Sequence, residues 1–236
     1  MKILSIDTAT ESASCAVLED SRLLGEISIN FKKQHSVTLM NEIDYLLKIL
    51  SLNITDIDGF VISKGPGSFT GLRIGAAAIK GLCHGTNKDF VAVSSLESLA
   101  NNMAYTDGLI CPMIDALRDK VYTSIYKYEN GKLNEVKAID VMEISKLIDY
   151  LKDKNQPITF IGDGLYKNKG ILEKSLPNAR FAPNNLNLAR ASSLGEIGMD
   201  LLKQGKKDNI FSYAPMYLTK SLAEREYEKR EGKPLE

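Results

Sequence analysis

The run Ser63-Lys64-Gly65-Pro66-Gly67-Ser68-Phe69-Thr70-Gly71-Leu72-Arg73-Ile74-Gly75 constrains the fold more than any other, because it joins an apolar strand to a small-residue helix through closely set glycines. Phe60-Val61-Ile62-Ser63 before it reads as a buried strand, and Leu72 to Gly85 after it as a helix. That order places the backbone N–H groups near Gly71 in position to meet an anion. The spacing excludes two familiar loops. A Walker A loop has four residues between its glycines and then Lys-Ser/Thr, whereas Gly67 and Gly71 enclose three and precede Leu72-Arg73. A dinucleotide fingerprint needs its third glycine where Thr70 stands. Two readings stay open: a tight turn that lets helix and strand pack closely, and a phosphate cradle.

Length and charge narrow the class. At 236 residues the chain suits one large domain or two small halves. Its 30 basic and 30 acidic side chains cancel, and Lys32-Lys33 and Lys203 to Lys207 are short clusters that read as solvated faces. A chain so balanced does not grip nucleic acid alone, so contact with RNA requires a partner. Cys15, Cys83 and Cys111 are widely spaced among apolar residues and read as reduced core thiols, with no metal-binding spacing. The first apolar stretch stops at Asp7, too soon for a signal peptide, and no run approaches the roughly twenty residues of a membrane span. A soluble, cytoplasmic protein is expected.

Periodicity predicts strands over Lys2 to Asp7, Ala13 to Leu18 and Leu23 to Asn30, then a helix from Ser36 to Leu50. That helix carries more apolar residues than one core-facing stripe uses: Met40, Ile43, Leu47 and Leu50 on one face, with Val37, Leu39 and Leu46 beside them. A second covering surface is therefore expected. After the glycine loop and its helix come a strand at Phe90 to Ser94 and a helix from Leu96 to about Ala104. A second block then repeats the opening: Ile114-Asp115-Ala116 ends an apolar strand as Ile6-Asp7-Thr8 does. Strands at Val121 to Tyr128, Leu133 to Val136 and Ile158 to Ile161 follow, with helices at Glu143 to Lys152, Leu165 to Lys174 and Ser192 to Lys203. The pattern predicts two related lobes, 1–105 and 106–220, with a cleft between them and a charged, flexible tail at 221–236.

Asp7 and Asp115, each ending the first strand of a lobe, would face the crevice where α/β sheets bind ligands, and two such carboxylates suit a magnesium-nucleotide. The competing role is a cap on the following turn through N–H groups two residues on. Gly162-Asp163-Gly164 has the composition of a loop around a nucleoside, or simply of a turn. His35 and His84 lie in different elements without a second ligand at helical spacing, so no metal site is expected. No G-x-S-x-G elbow is present. No set of residues supplies a catalytic constellation.

Taken together, Ile3 to Ala9, Gln34-His35-Ser36, Lys64 to Gly75 and Pro215-Met216-Tyr217-Leu218 resemble the TsaB family, formerly YeaZ, of bacterial threonylcarbamoyladenosine biosynthesis proteins, over about the first 220 residues. The resemblance implies an actin-like (ASKHA, ribonuclease H-like) two-lobed α/β fold, each lobe a mixed sheet flanked by helices. It implies a non-catalytic partner of the paralogue TsaD in modifying the adenosine beside the anticodon of tRNAs that read codons starting with A. The paralogue carries a metal pair in a stretch resembling Val-Asn-His-Leu-Glu-x-His; here Ser95 and Leu99 hold the two histidine positions, and a leucine cannot ligate a metal. The second-lobe signature, near Asp-Ala-Arg-x-x-Glu-Val-Tyr, appears as Asp115 to Tyr122 with departures at Leu117 and Lys120.

The family reading names TsaD and TsaE as partners, a homodimer when TsaD is absent, tRNA contact only through the complex, and Mg-ATP or ADP, if any, bound in that complex. The candidate nucleotide residues are Asp7, Thr8, Gly67, Asp115, Gly162 and Gly164. The candidate partner surface is Met40, Ile43 and Leu47 on the first helix with Gly75, Ala78 and Gly81 on the second, a four-helix contact. The alternative is a weak ATPase or kinase of the actin-like superfamily that uses the two aspartates and the glycine loops.

Overall fold

The computed structural model describes residues 1–31, 35–220, 227, 230 and 231. Lys32, Lys33, Gln34 and, apart from those last three positions, the charged tail 221–236 lie outside the described residues. The first half runs β1 (Lys2–Asp7), β2 (Ala13–Glu19), β3 (Arg22–Ile29), α1 (His35–Ile49), β4 (Gly59–Gly65), α2 (Phe69–Thr86), β5 (Asp89–Ser94) and α3 (Ser95–Asn101). The second runs β6 (Leu109–Asp115), β7 (Lys120–Glu129), β8 (Lys132–Glu143), α4 (Ile144–Leu151), β9 (Ile158–Ile161), α5 (Leu165–Ser175), β10 (Ala179–Phe181) and α6 (Ala191–Lys203).

These form two five-stranded sheets, ordered β3-β2-β1-β4-β5 and β10-β9-β6-β7-β8. In each, the first strand pairs antiparallel with the second and parallel with the strand that follows a helix: β1 with β2 and β4, β6 with β7 and β9. One supersecondary unit is thus built twice, with Asp7 and Asp115 at equivalent strand ends. The two ends of α2 lie beyond the expected ones. Ser68 accepts the Gly71 N–H at its N-terminus, and Asn87, in the left-handed region, donates its N–H to the Cys83 carbonyl after the last turn. Strand β8 is much longer than Leu133 to Val136, because its edge position leaves charged residues on the pleat and blurs the alternation. The short β10 has no periodic signal of its own.

Both sheets are covered on both faces, and the covering crosses the chain order. Leu4, Ile6, Phe60 and Ile62 of the first sheet meet α1 and α2, while Ile3, Ala16, Val61 and Val91 meet Leu194 and Met199 of α6. Helix α6 belongs to the second half by sequence yet packs on β1, β2, β4 and β5. Its approach depends on glycines: a Cβ at Gly195 would lie 2.5 Å from Leu18 Cδ1, and one at Gly198 2.3 Å from Val61 Cγ1. Conversely α3, from the first half, covers the second sheet, where Leu96, Leu99 and Ala100 pack on Ile110, Ile114 and Tyr126. Helices α4 and α5 close its other face. All three cysteines are free and buried, and burial raises their thiol pKa values to about 12 for Cys15, 11 for Cys83 and 12 for Cys111. Among the described residues no helix is long and apolar enough to cross a membrane.

Candidate functional site

The three glycines on the loop and first turns of α2 all face the turn that follows β1. A Cβ at Gly67 would stand 2.2 Å from the Ala9 carbonyl oxygen, one at Gly71 2.1 Å from that of Thr8, and one at Gly75 2.5 Å from Thr8 Oγ1. Hydrogen bonds hold the contact: the Ser68 N–H donates to Ala9 O at 2.7 Å, and Thr8 Oγ1 donates to Gly71 O at 2.8 Å. The Gly71 N–H, which one of the two readings turned toward an anion, donates to Ser68 Oγ at 3.2 Å. At these positions the glycines serve close backbone approach, and protein occupies the space against them.

Above this turn lies a cleft of about 690 Å³. One wall is the Ala9 to Ser12 turn with Pro66 to Phe69; the other is Ile114 to Arg118 with Asp163 and Lys167; Leu99, Leu188 and Ala189 line it between them. Of the six candidate nucleotide residues, Gly67 and Asp115 line the cleft. Asp7 and Thr8 are fully buried beneath it, where Asp7 Oδ1 accepts the Ala9 N–H at 2.9 Å. Asp115 makes the same two-residue cap, accepting the Leu117 N–H at 3.1 Å, and its other oxygen is paired with Lys167 Nζ. Gly162, at φ +111°, packs on β6, where a Cβ would lie 2.1 Å from Met113 O, and Gly164 donates its N–H to that same oxygen at 3.1 Å. Both glycines thus sit under the loop and only Asp163 between them reaches the cleft.

Lys167 and Asn187 escape the sequence reading, and Asp163 enters it only as the middle of Gly162-Asp163-Gly164. Asp163 Oδ1 accepts the Asp115 N–H at 2.9 Å, tying the two loops together. Its position inside Gly162-Asp163-Gly164 was a visible signal. Lys167 lies one helical turn further on, a spacing that places it beside the loop once the helix start is known. Asn187, whose side chain accepts the Gly162 N–H at 2.5 Å, has no local signal.

Burial pushes the Asp163 carboxyl up to about 6, and the Asp115 and Glu11 charges add to the rise, against N–H donors from Asp115 and Gly164. An unfolded aspartate titrates near ~3.9, so between roughly 4 and 6 the folded chain holds a proton that the unfolded chain has lost. Stability from this group therefore grows as pH falls through 6 and is lost as pH rises. Asp163→Asn keeps the acceptor for the Asp115 N–H and removes the titration. The variant should be more stable than the parent at pH 7, by up to about 2 kcal/mol, and the gap should close by pH 4. Melting curves across that range test it; a gap independent of pH rejects the assignment.

On α1, Ile43 and Leu47 are buried in the first core, correcting their expected place on the partner surface. The solvent side instead carries Val37, Met40, Tyr45 and Ile49, with 63%, 48%, 60% and 60% of their surfaces exposed. On α2, Gly75 is buried against Thr8, Ala78 is half-buried, and the exposed residues are Thr70, Arg73, Ala77, Gly81, His84 and Gly85. A Cβ at Gly81 would meet nothing within 4 Å. The two helices touch each other, so these faces are neighbours.

Comparison with known proteins follows the same lines. The family model for TsaD, tRNA N6-adenosine threonylcarbamoyltransferase, matches residues 22–227. A Bacillus subtilis protein, tRNA threonylcarbamoyladenosine biosynthesis protein TsaB, is 34% identical over 231 residues, which is 96% of this chain and 98% of that protein. The chain belongs to the TsaB family. The Escherichia coli TsaB is 26% identical over 94% of this chain and 96% of its own length. A solved structure of YeaZ from Pseudomonas aeruginosa superposes with a TM-score of 0.74 at 23% identity, covering 92% of this chain and 99% of that one. The two-lobed, actin-like arrangement of mixed sheets expected from the resemblance is therefore the fold of this TsaB-family chain. Its Ser95 and Leu99 are buried at the start and in the body of α3. Among the described residues no group of three His, Cys, Asp or Glu side chains is placed to hold a metal.

Proposed function

We propose that this chain is the non-catalytic partner of a TsaD-type threonylcarbamoyltransferase, required for threonylcarbamoyladenosine formation beside the anticodon of tRNAs reading codons that start with A. The observation that carries the reading is the pairing of an over-apolar helix face with a small-residue one. Val37, Met40, Tyr45 and Ile49 leave α1 with an apolar surface in water, and Ala77 and Gly81 on α2 let another helix approach closely. Met40, Ala78 and Gly81 remain in this proposed surface; Ile43, Leu47 and Gly75 support it from beneath. TsaD and, when it is absent, a second copy of the chain would use this one surface and so exclude each other. TsaE belongs to the same proposed assembly, tRNA is met only through the complex, and the cytoplasm is its proposed compartment. Residues 1–105 and 106–220 are proposed as its lobes, each lending a helix to the other's sheet. Purified chain with and without the organism's TsaD-type protein, assayed for tRNA modification, tests the role; full modification by the partner alone overturns it.

The alternative ATPase or kinase reading has less support. The glycine loop holds the Thr8–Ala9 turn, and Asp115 is paired with Lys167. Calorimetry of the isolated chain with Mg-ATP is expected to show no binding heat at micromolar protein. A magnesium-dependent heat that disappears in Asp115→Ala would favour that alternative.

A further inference from the structure

Residues 206–220 run from one sheet to the other along the cleft. They begin on the free edge of β5, where the Asp208 N–H donates to Phe90 O at 2.9 Å and its carboxylate accepts the Ala92 N–H at 2.7 Å. Tyr213 then meets Phe90 edge-on at 5.2 Å between centroids, and its neighbour Ile210 packs on the same core. The Met216 N–H donates to Lys64 O at 2.7 Å, and the Met216 carbonyl oxygen would lie 2.8 Å from a Cβ on Gly65. Tyr217 packs on Phe69 with ring centroids 4.7 Å apart and planes tilted by 36°, with the Arg73 guanidinium 4.0 Å above the Phe69 ring and its Nε donating to Tyr217 Oη at 3.2 Å. Two residues later Thr219 Oγ1 shares a 2.7 Å hydrogen bond with Tyr122 Oη on β7, in the second sheet.

The segment therefore has anchors on β5, on the glycine loop and α2, and on β7, and Met216 to Lys220 line the cleft. The residues between the walls come from α3 and from the approach to α6, the helices that each half places on the other's sheet. An exchanged helix pair on one side and a bridging strand of chain on another form a hinge and a tie. In two-lobed proteins a ligand that touches both walls favours the closed arrangement by its differential contacts. Here a covalently attached segment makes contacts of that kind, so its engagement of both walls is intramolecular and independent of any free-ligand concentration.

We infer that residues 206–220 are a built-in latch, which holds the two lobes at one opening without a ligand in the cleft. The latch needs Tyr217 on the first-lobe side and the Thr219–Tyr122 bond on the second. Because Arg73 also lies on the exposed side of α2, the latch meets the chain at the rim of the proposed partner surface; the inference itself does not depend on that surface.

The test measures the lobe-to-lobe distance in the full-length chain. Spin labels at Lys48→Cys on α1 and Lys146→Cys on α4 report from exposed sites on opposite lobes, where those lysine side chains are 71% and 69% accessible. The three native thiols are buried with raised pKa values and stay unlabelled under native conditions. The parent should give one narrow distance distribution. Thr219→Val and Tyr122→Phe, which each remove one partner of the hydroxyl pair, and Tyr217→Ala should broaden it or add a longer component. In the same variants the Met216 amide should exchange with deuterium about tenfold faster or more, while amides of β1 and β6 keep their parent rates. Thr219→Val and Tyr122→Phe are conservative enough to keep the fold should Tyr217→Ala lose it. Distributions that superpose on the parent in both conservative variants overturn the latch and leave the segment as surface cover.

Discussion

Gly71→Ala is expected to destabilise the chain by about 3 kcal/mol, near the upper end of overpacking costs. The new methyl would lie 2.1 Å from the Thr8 carbonyl oxygen, a backbone atom of the turn after β1 that cannot rotate aside. Relief requires moving α2 away from β1, which also stretches the Thr8–Gly71 and Ser68–Ala9 hydrogen bonds. For a chain of this length the melting temperature should fall by roughly 6–12 °C. Gly81→Ala on the same helix supplies the opposite sign. Nothing lies within 4 Å of its added methyl, so the substitution should gain about 1 kcal/mol from helix propensity and raise the melting temperature by roughly 2–4 °C. Calorimetric melting of the two variants side by side decides the role of the loop. Equal effects would mean that Gly71 is not held against Thr8, and the loop would again be open to an anion.

The second large effect concerns association. Val37→Glu with Met40→Glu puts two charges on the exposed side of α1, where neither residue supports the core. The double variant should fold with near-parent stability yet weaken pairing with the TsaD-type partner by at least about 2 kcal/mol, roughly thirtyfold in Kd. Self-association should fail in parallel if, as proposed, one surface serves both. Leu47→Glu is the contrasting variant: it buries a carboxylate among Ile43, Leu46 and Ile79 and should unfold the chain outright. Sedimentation, circular dichroism and the tRNA-modification assay on the same preparations separate the outcomes. A double variant that stays dimeric and still supports modification places the partner surface elsewhere.

Residues that are close in sequence carried most of the element pattern. Apolar runs such as Phe60 to Ile62 and Cys111 to Ile114 declare strands bounded by turns, because burial on both faces leaves them no polar alternation. The repeat of Ile6-Asp7 in Ile114-Asp115 announced that one unit is built twice, and both aspartates do cap the turn that follows them. The excess of apolar residues on α1 was also legible, since composition counts how many need covering. Which of them the core covers was not. Periodicity sets the angles between Met40, Ile43 and Leu47 around the helix, but the absolute rotation depends on which side meets β2 and β3.

The sequence by itself determined the two-lobed family fold, the order of its strands and helices apart from the short β10, and the absence of histidines at the positions of the paralogue's metal pair. Tertiary structure alone decided what the glycines are for, since a missing Cβ admits a phosphate and a neighbouring backbone equally well and only the arrival of Thr8 and Ala9 distinguishes them. It likewise decided that Lys167 pairs with Asp115 across 52 residues, that α3 and α6 cover each other's sheets, and that residues 206–220 span both lobes. Each of these joins groups far apart in the chain. Local propensity and period carry no information about such meetings, which follow from how two double-faced sheets share the helices available to bury them.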